Sequence, residues 1–234
     1  MKRYPFKNHK ITRSNPKKYK RYKTYTKYLV EDFCGRCAYC NLDYKKITTP
    51  FEIDHFVPRV AFEKAGLYYL SVDYENLIYS CKKCNLAKGD LFDGNLHENP
   101  YSNKLFYDPA KTDYNDIFYR DDYGNICSDD DLGLEMINNL NLHRNIHRCA
   151  WLIEQLEIIT KDLQERKTQA KSDNQKNAIN EVYSNILEFK DELKDVFIAN
   201  YNSNDFDLNV DLSVLNKIKN ENDSNCLVKL TLNM

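Results

Sequence analysis

A chain of 234 residues that is 42% hydrophobic and 29% charged is long enough to bury a core as one domain or two small ones, without disulfides. It holds no run of about eighteen apolar residues, and lysines and tyrosines open the chain where a secretory leader needs an apolar stretch. The expectation is therefore a cytoplasmic protein without a membrane span. The net charge of -1 excludes a uniformly cationic binder but hides an asymmetry: residues 1–30 carry eleven Lys or Arg and no Asp or Glu, leaving about -12 on the rest.

Tyr4, Tyr19, Tyr22, Tyr25 and Tyr28 are interleaved with the cations of this first stretch. Cations can meet phosphate and tyrosines can stack on bases, which makes the arm a candidate nucleic-acid contact. The alternative is an amphipathic segment that packs its tyrosines on the core.

Residues 31–110 contain every paired cysteine. CAYC at 37–40 and CKKC at 81–84 are two Cys-x-x-Cys knuckles about forty residues apart, a spacing that lets four thiolates close a tetrahedral zinc site. CGRC at 34–37 overlaps the first knuckle. The pair Cys37 and Cys40 is preferred, with Cys34 a neighbouring thiol. Cys127, Cys149 and Cys226 are scattered, as buried thiols are.

Between the knuckles lies FEIDHFVPRV, in which Asp54 and His55 end a short apolar run, and Asn76 follows in DYENLIYSC. Asn85 comes directly after the second knuckle in CNLAKGD. The pattern predicts a strand ending at Ile53-Asp54-His55, a second strand near Leu77–Ser80 and a helix beginning near Lys82. Asn85 and Lys88, three apart, would then share a helical face turned toward the Asp-His pair.

Downstream the pattern becomes helical. Cys149, Leu152, Ile153, Leu156, Ile159 and Leu163 form one stripe. Ile179, Val182, Tyr183, Ile186, Leu187, Leu193, Val196 and Phe197 form another, and between them Ser172 and Gln175 make a capping-box signature. Two such helices joined by a short polar turn predict an antiparallel hairpin suited to docking or positioning. His143 and His147 are four apart but lack the acidic neighbour of a metalloprotease pattern. They are read as a surface face, with Arg144 and Arg148 available to DNA or a partner. His97 is read as an exposed turn residue, the Asn-rich segment from Asn200 to Asn225 is not assigned, and CLVKLTLNM at the end alternates like an edge strand.

Read together, RCAYC, IDHFVPR, DYENLIYSC and CKKCNLAKGD resemble the HNH endonucleases, over about residues 33–92. The three letters of that name correspond to His55, Asn76 and Asn85, with Asn in place of the last His. The resemblance implies an α+β fold: a small zinc-stabilised ββα-metal core (residues 31–110), a basic N-terminal arm (1–30) and a mainly α-helical C-terminal region (111–234). It implies a DNA phosphodiesterase in which His55 is the general base and Asn76 orients its ring. Asp54 and Asn85 would hold one catalytic Mg²⁺ or Mn²⁺, Cys37, Cys40, Cys81 and Cys84 a structural Zn²⁺, and Lys88 and Arg59 would meet phosphate. With FYDP and an Asn-Leu-Asn-Leu-x-Arg helix downstream, the chain also looks like the stand-alone HNH subunits of bacterial anti-phage systems such as Septu. That implies an ATPase partner subunit. A restriction or mobile-element nuclease and a non-catalytic zinc-dependent DNA-binding module are the alternatives.

Overall fold

The computed structural model describes residues 2–101 and 103–203, so the expected closing strand and most of the Asn-rich segment lie outside the described residues. Packing groups the described residues into two compact units, one formed by residues 3–120 and 126–143, the other by residue 2, residues 121–125 and residues 144–203.

The first unit is built on a ββα element. Strand β2 (Glu52–His55) pairs antiparallel with β3 (Leu77–Ser80), with His55 opposite Leu77 and Glu52 opposite Ser80. The turn that follows leads into helix α3 (Lys82–Lys88), capped at its start by Cys81. Gly89 ends this helix at φ +48, a backbone setting that a residue with a Cβ rarely adopts, while its N–H bonds Asn85 O. Pro58 stops β2 from continuing and stands before helix α2 (Arg59–Lys64), where its fixed φ suits a helix start.

The basic N-terminal stretch packs within this unit. Phe6, Ile11, Tyr25 and Leu29 are buried along it. It supplies strand β1 (Tyr4–Pro5) to a small antiparallel sheet with β4 (Tyr119–Arg120) and β5 (Ile126–Cys127), followed by helix α1 (Thr26–Asp32). Tyr25 anchors the segment: its ring lies against Tyr74 and Tyr19, and its hydroxyl accepts a hydrogen bond from Tyr19 N at 2.9 Å. Helix α4 (Asp131–Asn139) completes the unit, its N-terminus capped by Asp130 through Gly133 N.

The second unit is the expected hairpin, α5 (Asn145–Gln169) against α6 (Asp173–Asn200). Ser172 caps α6 by accepting from Gln175 N, and the Gln175 side chain reaches back to Lys171 N. Cys149, Leu152, Ile153, Leu156, Ile159 and Leu163 are all buried on α5. On α6 the buried residues are Ile186, Phe189, Leu193 and Phe197, a narrower stripe than the one expected. Each fully buried side chain of this size contributes about 1.5–3 kcal/mol, so packing between the helices, more than helix propensity, stabilises the pair.

Candidate active site and metal centre

Cys37, Cys40, Cys81 and Cys84 meet in the interior of the first unit, their sulfurs all within 4.8 Å of one another. The first knuckle is a tight loop closed by Cys37 N to Leu42 O, with Asn41 at φ +64, and Ala38 N ties it to Tyr79 O of β3. The second knuckle is the start of α3. Four zinc-bound thiolates stand about 3.8 Å apart along each edge of their tetrahedron, given a Zn–S bond of about 2.3 Å, and Cys40 and Cys81 stand at 3.8 Å. The donor set therefore fits one Zn²⁺. Cys34 is exposed and outside the cluster, which resolves the overlap of the two candidate knuckles.

Because side chains alternate along β2, Glu52 and Asp54 share one face and His55 takes the other. The first face meets α3. Asp54, 5% exposed, accepts from Tyr39 Oη at 2.6 Å and from Lys88 Nζ at 3.1 Å. Lys88 is wholly buried and also donates to His55 O at 2.9 Å. Burial raises the Asp54 pKa and the Lys88 charge opposes that rise. Asn85 lies alongside but donates from Nδ2 to Glu52 Oε2 at 2.6 Å.

Asp54 has both oxygens hydrogen-bonded and an ammonium beside it, and Asn85 is turned to Glu52, so these are the contacts the two side chains would exchange to hold the expected Mg²⁺ or Mn²⁺. Lys88, expected at phosphate, is instead an interior ion-pair partner.

His55 is half-buried on the opposite face. Its Nε2 lies 3.0 Å from Ser71 O, and its ring stands edge-on to Tyr22 and Phe62 at centroid distances of 5.2 and 5.8 Å. Burial lowers its pKa, against the opposing pull of Ser71 O and Asp54, so the neutral ring is favoured. The hydrogen bond expected from Asn76 to this ring is replaced by others. Asn76, fully buried, accepts from Val57 N at 2.8 Å and donates to Val57 O and Leu70 O, which fixes the backbone just after His55 and just before Ser71. Its amide is spent on two loops, and Ser71 O takes the ring.

His55 and Arg59 line a cleft of about 410 Å³ with Lys20, Arg21, Tyr22, Lys23, Ser71 and Val72. Arg59 is exposed and paired with Glu63. Arg144 and Arg148 belong to the helical unit. Arg144 precedes α5, and Arg148 Nε donates to Tyr123 O at 2.6 Å, with burial lowering its pKa. His147 is buried and His143 exposed, and among the described residues the cysteines form the one cluster of metal-ligating side chains. Glu52, Tyr39 and Ser71 were missed from sequence. Glu52 was findable as the residue two before Asp54 on the same strand face, whereas Ser71 acts through a backbone carbonyl that leaves no trace in its residue type.

Residues 37–91 match the family model for HNH endonuclease. Among curated proteins, the "Septu protein PtuB" of Bacillus mycoides (strain KBAB4) is 34% identical over 61 residues, covering 23% of this chain and 20% of that protein. The chain thus matches about one fifth of that relative's length. No solved structure matches significantly. Residues 37–91 are accordingly an HNH-type element of α+β architecture, and no described helix is long and apolar enough to cross a membrane. The HNH match supports a nuclease.

Proposed function

We propose that the protein is an endonuclease that hydrolyses DNA phosphodiester bonds in anti-phage defence, with His55 as its general base. The observation that supports this most is the setting of His55: a half-buried imidazole, biased toward its neutral form, at the end of the β2 strand of an HNH-type segment and open to a cleft. With Nε2–H donating to Ser71 O, Nδ1 carries the lone pair. It takes a proton from water as the water oxygen bonds to phosphorus, the P–O bond to one sugar breaks, and the departing sugar oxygen takes a proton from solvent. The imidazolium so formed is held by Ser71 O at the other nitrogen.

Asn76 acts as a positioning residue by locking Val57 and Leu70, on either side of the ring's surroundings. Lys88 positions His55 through its carbonyl. Arg59 is one of the cleft cations that would meet the substrate phosphate. HNH chemistry uses a divalent cation, here a hard one, Mg²⁺ or Mn²⁺, that would offset charge on the phosphate. Asp54 and Asn85 would hold it on exchanging their contacts to Tyr39, Lys88 and Glu52.

Cysteine-bound Zn²⁺ is structural in this reading, and the basic stretch, the HNH-type segment and the helical region would divide DNA contact, cleavage and docking among them. If an ATPase partner exists, as the likeness to Septu subunits suggests, the α5–α6 hairpin is its docking surface, with Ile158 and Ile198 exposed on it. The engaged state of Asp54 favours one other reading, a zinc-pinned DNA-binding module without activity. The two part on a plasmid assay. Zinc-loaded protein should convert supercoiled DNA to nicked or linear forms when Mg²⁺ or Mn²⁺ is added. Folded, DNA-binding protein that leaves plasmid intact with either ion, alone and with its co-purifying partner, would favour the module.

A further inference from the structure

Half of the residues that line the His55 cleft come from outside the HNH segment. Residues 37–91 supply His55, Arg59, Ser71 and Val72, and the N-terminal stretch supplies Lys20, Arg21, Tyr22 and Lys23. Among the described residues no carboxylate lines the cleft. Lys20, Arg21 and Lys23 are exposed, and among the described residues none of them has a carboxylate partner. Exposed cations left unpaired in a protein with a slight acidic excess, gathered beside one half-buried imidazole, create a local positive potential that a phosphate backbone would meet.

These cations are also held in place. Residues Tyr22–Tyr25 form a 3-10 turn, Thr26 Oγ1 donates to Lys23 O, and Tyr25, the anchor, is 2% exposed. Tyr22 turns inward against the His55 ring while its neighbours on both sides remain in solvent. A turn fixed in this way loses little freedom when it meets a ligand, which a loose basic tail would not offer.

We infer that Lys20, Arg21 and Lys23 form a preorganised phosphate-binding rim, along which the backbone of one strand of duplex DNA passes so that a phosphate reaches His55. The inference rests on the nuclease reading only for what happens at that phosphate. Binding itself is independent of it.

The test is fluorescence anisotropy of the full-length, zinc-loaded chain with a labelled 30-base-pair duplex across a series of NaCl concentrations without divalent cation. The variants are Lys20→Gln/Arg21→Gln/Lys23→Gln, the charge-preserving Lys20→Arg/Lys23→Arg, and His55→Ala. Each phosphate contact adds about 0.9 to the slope of log K against log salt on duplex DNA, so the triple variant should lose about 2–3 from that slope. It should also bind at least tenfold more weakly near 100 mM salt, with zinc content and melting temperature unchanged. The Arg variant and His55→Ala should keep the wild-type slope. A triple variant that binds with an unchanged slope overturns the inference, as does a wild-type chain that does not bind the duplex at low salt. If the slope falls as expected while His55→Ala cuts plasmid as well as wild type, the rim stands and the catalytic reading of His55 falls.

Discussion

Lys88 brings a positive charge into an interior with no exposure, and it is held there by Asp54 and by His55 O. Burying such a pair need not stabilise the fold, because both ions lose their hydration. Removing one partner is another matter, since it strands the other charge, at a cost of about 3–5 kcal/mol. Lys88→Ala should therefore lower the urea midpoint by a large fraction of total stability, and Lys88→Met, which refills the volume, should do no better while Asp54 remains charged. The double variant Lys88→Met/Asp54→Asn should recover much of the loss. If Lys88→Ala unfolds at the wild-type midpoint, the interior pair is not formed in solution. His9 gives a second residue-scale expectation. Burial first, then the charges of Lys7 and Arg36, push its pKa down to about 4 from an ordinary 6.5. Between those values the unfolded chain takes up a proton that the folded chain refuses. The His9 contribution is therefore fully present above pH 6.5 and is lost as pH falls toward 4. The urea midpoint of wild type should drop across that window more steeply than that of His9→Gln, and parallel curves would contradict the assignment.

The ββα element depends on its two knuckles more than on its strands, which are only four residues each. Strands this short, with a helix of two turns, bury too little to order themselves, so the cross-link from residues 37–40 to 81–84 sets the register that brings His55 opposite Leu77. Chelating the metal, or replacing Cys84 with Ser, should release about one equivalent of zinc and lower the melting temperature of this unit by more than 10 °C. The helical signal of the α5–α6 hairpin should persist in circular dichroism. Retention of a cooperative, unshifted transition after zinc loss would show that the ion is dispensable. This element was also the part most legible in the chain. Spacing alone indicated four thiolates, two strands and a helix, because ligand geometry fixes residue types at fixed intervals. The hairpin was legible through its 3.6-residue period, but the α6 stripe was overread: Val182 and Leu187 are only half-buried, since periodicity reports a face and not how far a neighbour covers it.

At the scale of the whole molecule, what the chain hid was contact between distant segments. The basic stretch allowed two readings, a nucleic-acid arm or a segment packed on the core, and burial of Phe6, Ile11, Tyr25 and Leu29 sets it into the first unit, with Tyr22 against His55. Nothing local in KYKRYKTY shows which tyrosines turn inward. Likewise, the choice of Ser71 O over Asn76 as the partner of the His55 ring depends on how two loops close, and Lys88 was assigned to phosphate because its residue type suited that contact equally well. His55 is the side chain on which the proposed chemistry depends, and its position was legible in IDHFVPR. The direct measurement is single-turnover cleavage of supercoiled plasmid by wild type and His55→Ala at matched zinc content and matched DNA binding, with Mg²⁺ or Mn²⁺ and any co-purifying partner present. Loss of a general base predicts a rate lower by about 10²–10⁴-fold. Cleavage by His55→Ala at the wild-type rate would place the chemistry elsewhere.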